Sequence, residues 1–379
     1  MKLRNVLTIY ACLSCAATLA QSPIGESHTT VRDFTDSAGT AVPSDSPQNR
    51  KGNIFKQFFR AFNAMDTTYI TPNKYNWAFM LQNTNSFETY TLHSRELGQK
   101  LSFSPRPAIK IGPYLGWRWI FLGYTFEVSS LGKGQQSKKT EFELSLYSSM
   151  LGCDLIYRRT GDDFRLRKVK GLGEEAREVE GENDHGINVK VTGINAYYIF
   201  NHKRFSAAFA QSTVQRKSCG SWKVGFAYTR HELDFDYNAL PPVLTHNPNH
   251  ELSQDFQVDK VKYTDFSLSC GYAYNWVFKK NWLFCISIVP AIGYKKTHTA
   301  AVQPENETET SALASHLRNL NFDVTGRAGL VWNNTKYFGG LSLIVHNYNY
   351  RHNRLSINNT FGTLNLYIGL NFHKRKAYR

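Results

Sequence analysis

From Leu320 to Asn333 the chain alternates. Leu320, Phe322, Val324, Ala328, Leu330 and Trp332 interleave with Asn321, Asp323, Thr325, Arg327 and Asn333. From Asp265 to Phe278 the even side holds Phe266, Leu268, Cys270, Tyr272, Tyr274, Trp276 and Phe278, and the odd side is mostly small or polar. The last such segment sets Leu364, Leu366, Ile368, Leu370 and Phe372 against Asn365, Tyr367, Gly369 and Asn371. Successive strand side chains point to opposite faces, so each segment has one oily and one polar or small face.

A soluble β-sandwich alternates too. Four features favour a transmembrane barrel instead. The segments run to about 14 residues, against five or six in a usual soluble strand. Their polar face carries Gly, Ser, Asn and isolated charges, as a wet or hydrogen-bonded lumen would. Trp276, Trp282, Tyr294, Trp332 and Tyr337 sit toward segment ends, where aromatic girdles belong. The connections are also unequal: tight at 279–281 and 333–336, long and polar at 160–186, 237–261 and 297–317. Outer-membrane barrels have short periplasmic turns and long external loops.

The predicted fold class is therefore all-β: an antiparallel transmembrane β-barrel of about 12 strands, with 10 or 14 as alternatives, preceded by a short N-terminal helix. The strands are expected at 76–84, 86–94, 100–110, 113–129, 139–159, 187–200, 221–236, 262–278, 282–296, 318–333, 336–351 and 357–373. Parity slips near Leu122–Gly123, where a bulge or an extra turn would alter the count. Phe205–Ala210 reads as a further strand or as a segment tucked against the lumen.

Ahead of the barrel, residues 1–20 read as an export signal: Lys2 and Arg4, the apolar stretch Val6–Leu19, then Thr18-Leu19-Ala20 at the cut. The rival, lipidation at Cys12 or Cys15, lacks a good lipobox. Residues 21–52 read as a flexible leader. Residues 53–74 read as a short periplasmic helix and lead-in, with Ile54, Phe55, Phe58, Phe59 and Phe62 on one helical face. The barrel is expected over 75–373 and a basic tail over 374–379. Mean hydropathy is −0.42, and beyond the N-terminus no apolar run reaches the length of a helical span.

Of the six cysteines, cleavage would leave Cys153, Cys219, Cys270 and Cys285. A hairpin centred on Lys280 pairs even with even, so Cys270 falls on the oily face and Cys285 on the polar one. Those two are expected not to bond. The formal charge of +15 ordinarily invites nucleic acid, but an exported chain points to outer-membrane lipids and lipopolysaccharide instead.

Catalytic patterns are sparse. Ser342 and His346 share a strand face but sit too far apart to touch directly, and read as ordinary lumen residues. Asp162-Asp163 lies in an acidic loop that reads as solvated charge. No metal-ligand or phosphate-loop spacing is present in the sequence, and no cofactor is expected. The lumen-lining candidates are Arg118, Lys223, Asp265, Asp323 and Arg327. In a narrow barrel they would pair across the interior; in a wider one they would line a pore.

Several stretches resemble a family of outer-membrane barrels from Bacteroidetes known as a domain of unknown function. They are Asp66–Pro72 with the Trp77 strand, Leu101–Pro105, Ile194–Asn201 and Gln215–Ser221. The resemblance spans roughly 60 to 373 and implies a barrel in the outer membrane of a Gram-negative bacterium, with no catalytic residues to carry over. The expected role is structural or small-solute transport. A barrel enzyme acting on outer-membrane lipid and a soluble secreted β-sandwich are the alternatives. The barrel assembly machinery is the expected protein partner.

Overall fold

The computed structural model describes residues 65–378 except 106–107, 118–119, 124, 129–139, 161–163, 185, 208–212, 246–250, 257–259, 301–319 and 353–354. The signal, the leader, the helical stretch to residue 64, Arg118 and Asp162-Asp163 lie outside the described residues. The strands are β1 (Ile70–Thr71), β2 (Tyr75–Ser94), β3 (Lys100–Pro105), β4 (Ala108–Trp117), β5 (Ile120–Gly123), β6 (Phe126–Glu127), β7 (Thr140–Tyr147), β8 (Leu151–Thr160), β9 (Phe164–Lys170), β10 (Asn183–Asp184), β11 (Ile187–Ile199), β12 (Val214–Gln215), β13 (Cys219–Phe235), β14 (Lys260–Lys279), β15 (Trp282–Ala300), β16 (Leu320–Asn333), β17 (Tyr337–His352) and β18 (Leu355–Lys374). One short helix, α1, covers Pro242–Thr245. Among the described residues no helix is long and apolar enough to cross a membrane.

Strand pairing closes on itself. The ladder runs β2–β18–β17–β16–β15–β14–β13–β11–β8–β7–β5–β4 and returns from β4 to β2. Every step is antiparallel. The β5–β7 step rests on the pair Ile120–Leu146. Closing a ladder pairs strands that would otherwise be its edges, which is what lipid demands of a sheet.

The faces sort by parity. Phe322 is 67% exposed while Asp323 beside it is 3% exposed. Leu268 and Ile368 are exposed in the same way, next to buried Ser267 and Tyr367. Oil outside and charge inside is the reverse of a water-soluble domain and the arrangement of a lipid-embedded barrel. The apolar residues are not buried between stacked sheets, so the sandwich alternative does not describe this chain. From Phe266 to Trp276 the strand rises about 34 Å. At a tilt near 40° that spans about 26 Å of bilayer, the height of a lipid-facing apolar band. Cys270 is exposed, Cys285 is buried, and both are free, as parity requires.

The last seven strands lie within a few residues of their expected positions, and the first five do not. Residues 76–84 and 86–94 form one strand, β2, because the polar run Gln82–Ser86 continues the ladder against β18 instead of turning. Residues 139–159 form two strands. The Ser148 hydroxyl accepts from the amides of Met150 and Leu151 and closes a turn there. The parity slip near Leu122 reflects a chain reversal that pairs Trp117 with Ile120. These differences cancel, so the ring still has twelve strands.

The long connections are not simply polar loops. Within 160–186, β9 pairs with β3, and β10 pairs with β9. With α1 and Phe256 of the 237–261 connection, they build an apolar core with the inward residues of six ring strands. Leu101, Phe103, Phe164, Ile187, Leu244 and Phe256 are fully buried in it. Burial of such side chains stabilises by about 1.5–3 kcal/mol each. The loop end of the barrel is thus filled with packed side chains.

Candidate functional site in the barrel interior

Below the apolar core the inward faces carry charge. Lys223, Asp265, Asp323 and Arg327 are all buried there, each placed by its odd position on β13, β14 or β16. Arg327 Nη2 donates to Asp154 Oδ2 at 2.8 Å. Asp154 is on β8 and Arg327 on β16, which stand on opposite walls of the ring. The contact therefore crosses the lumen. Lys223 Nζ lies 5.3 Å from the Tyr197 ring and 5.6 Å from the Phe205 ring, an aromatic seat for a buried ammonium.

Asp323 is held by Lys295 Nζ at 2.9 Å and by the Asn349 amide at 3.0 Å. Lys295 also donates to the Asn349 carbonyl. Asp265 sits opposite Lys295 in register and turns its carboxylate toward that of Asp323. Gly293 makes room for the two acids: a Cβ there would lie 2.4 Å from Asp265 Oδ1 and 3.3 Å from Asp323 Oδ2. This trio holds two acids and one base, while the Asp154–Arg327–Lys223 group holds two bases and one acid. The two groups balance each other.

Toward the loop end the interior becomes aromatic. His231 stacks on Tyr263 at 4.6 Å and Tyr263 on Tyr350 at 4.4 Å. His346 stacks on Phe361 at 4.9 Å, and the Arg158 guanidinium lies 4.6 Å above the same Phe361 ring. Arg158 also approaches Glu88 at 3.8 Å, and Tyr90 donates to Glu88 at 2.6 Å. The His346 ring pairs with Thr325 at 3.2 Å, and Ser342 is paired with Asn365 at 3.5 Å. Ser342 and His346 therefore serve different partners and form no nucleophile–base pair.

The turn end is plugged as well. Phe205, Ser206 and Ala207, the described part of the 205–210 segment, are buried against the lumen as in the second of its two readings, and 208–210 lie outside the described residues. Asn275 donates to the Ser206 carbonyl at 2.9 Å. Gln215 accepts from the Ser206 amide at 2.9 Å and donates to the Arg204 carbonyl at 2.6 Å. β1 pairs with β12, which ties the lead-in to this segment. Asp66 accepts from the Thr68 hydroxyl at 2.6 Å, from the Thr68 amide at 3.0 Å and from Arg204 Nε at 3.2 Å. The Thr68 bonds, then the Arg204 charge, hold its carboxyl below the usual range. The tail docks nearby: Arg375 donates to the carbonyls of Lys74 and Tyr75.

Asp66–Pro72 and Gln215–Ser221 thus meet in one structure, the turn-end plug. Residues 64–372 match the family described as Domain of unknown function (DUF4421). The chain belongs to that family. Among curated proteins no match was found. Among solved structures the chain is similar to the outer membrane protease OmpT of Escherichia coli, at 6% identity and TM-score 0.33, over 80% of this chain and 98% of that one. It is similar to the toluene transporter TodX of P. putida at 9% identity and TM-score 0.25, over 79% of this chain and 91% of that one. It is also similar to the β domain of the Bordetella autotransporter BrkA at 9% identity and TM-score 0.29, over 76% and 98%. The fold of this DUF4421 chain is read from its own strand pairing.

Sequence reasoning missed Glu88, Asp154, Arg158 and Lys295. Lys295 carried a usable signal, since it shares odd parity with Cys285 on one strand. Asp154 and Arg158 lay beyond the unrecognised Ser148 turn, which reset the parity.

Proposed function

We propose that this chain is an outer-membrane barrel of a Gram-negative bacterium, one of the Bacteroidetes, that works closed. It is a membrane-embedded structural component rather than a standing pore. One observation carries the closed reading: the Arg327–Asp154 contact at 2.8 Å joins opposite walls of the ring. Apolar packing at the loop end and the 205–207 segment at the turn end support it. The outer-membrane location is supported by the oily outer face and by the short turns opposite long loops. The Bacteroidetes origin rests on the motifs Asp66–Pro72 and Gln215–Ser221. The mixture of acids and bases in the interior favours bracing over ion selectivity, because selectivity needs rings of one sign.

Planar-bilayer recording of the folded protein tests this. The expected result is no steady conductance. A stable ohmic current from single insertions would instead support transport of small solutes.

A further inference from the structure

Near the loop end the outer face carries a cluster of charge where a lipid-facing wall should have little. On even positions near the loop end, Lys190 of β11 and Arg230 of β13 flank a groove of about 590 Å³ floored by Leu155, Ile194 and Tyr228. Their side chains are 41% and 52% exposed. Glu232 lies between them, 3.8 Å from Lys190 and 3.4 Å from Arg230, and fixes both while cancelling only one charge. Arg159 pairs in register with Lys190, and Lys296 pairs with Thr264, which pairs with Arg230. Both Arg159 and Lys296 are exposed. The cationic belt therefore crosses neighbouring strands.

Its height is informative. One outward position below Arg230 and Lys296, and two below Lys190 and Arg159, lies the row Ile194, Tyr228, Phe266 and Tyr294, consecutive register partners of which the last three are aromatic, as in an interfacial girdle. The belt sits just above that girdle, at the headgroup level of the leaflet facing the loops. In an outer membrane that leaflet is made of lipopolysaccharide. Lipid phosphates and exposed cations complement each other there.

We propose that this groove binds lipopolysaccharide. Lys190 and Arg230 hold a lipid A phosphate, and Leu155, Ile194 and Tyr228 carry an acyl chain beneath it. The proposal rests on the outer-membrane reading above. The test uses full-length protein in detergent, checked for folding by its boiling-dependent gel mobility, with bound lipid read by native mass spectrometry. The probes are bisphosphorylated lipid A, dephosphorylated lipid A and phosphatidylglycerol. Wild type is expected to retain lipid A at least tenfold better than K190Q/R230Q does, and at least tenfold better than it retains either other lipid. K190Q alone, which keeps the Arg230–Glu232 pair, is expected to lose several-fold and serves if the double variant does not fold. Equal retention of lipid A by wild type and variant overturns the site. Equal retention of dephosphorylated lipid A overturns the phosphate contact, and equal retention of phosphatidylglycerol overturns the choice of lipopolysaccharide. Recovery of the protein without detergent would instead remove the membrane reading beneath it.

Discussion

At the scale of single residues the interior is a set of buried ion pairs, and these are costly to break singly. Removing one partner of such a pair leaves an uncompensated charge and costs about 3–5 kcal/mol, while replacing both by apolar groups costs far less. Lys295→Met is expected to destabilise the barrel by about 3–5 kcal/mol, because Asp323 then loses its ammonium partner. K295M/D323L is expected to recover part of that loss. Denaturant unfolding in vesicles, read as a double-mutant cycle, checks both. Asp66 gives a pH dependence. Its carboxyl is held below the ordinary value in the folded chain. The docking it supplies is complete above the unfolded value near about 4 and is lost as pH falls through the lower folded value. Amide exchange at Thr68, corrected for intrinsic rate, is expected to rise on acidification in wild type. In D66A, which removes the acceptor, it is expected to be fast at every pH.

At the scale of elements, what the sequence made legible depended on which face a strand offers to lipid. β14, β16 and β18 alternate cleanly because one face meets hydrocarbon, so pattern located them, and the tight turns between them framed β15 and β17. β2 did not, since Gln82–Ser86 interrupt the oily face without ending the strand. The plug was illegible for a different reason. Leu172, Ala176 and Phe256 are isolated apolar residues in polar surroundings, Leu244 sits in a short apolar run of its own, and only the closed ring shows that they converge. Phe256→Ala is expected to destabilise by about 3–5 kcal/mol, as large buried aromatics do. An exposed change such as Val243→Ala in α1 should cost under about 0.5 kcal/mol. Comparing the two by denaturant unfolding tests whether the loop-end core is integral to the barrel. Equal midpoints would detach it.

At the scale of the whole molecule, closure reconciles an unremarkable mean hydropathy with a membrane location. Across the apolar band each strand offers every second residue to lipid and turns its charges inward, and the outward cations lie toward the loop end. The parity of β13, β14 and β16 already implied that Lys223, Asp265, Asp323 and Arg327 point inward. Which of them meet across the lumen depended on strand order around the ring, and the early half of the sequence did not give that order. The most direct test of the closed, lipid-embedded barrel is a nitroxide scan along residues 262–278 in vesicles, one label per residue. Even positions such as Phe266, Cys270 and Tyr274 should collide with oxygen, and odd ones such as Ser267, Gly271 and Ala273 should be shielded from oxygen and aqueous nickel alike. Access to aqueous nickel at the odd positions would show a water-filled lumen, and loss of the two-residue period would contradict the barrel itself.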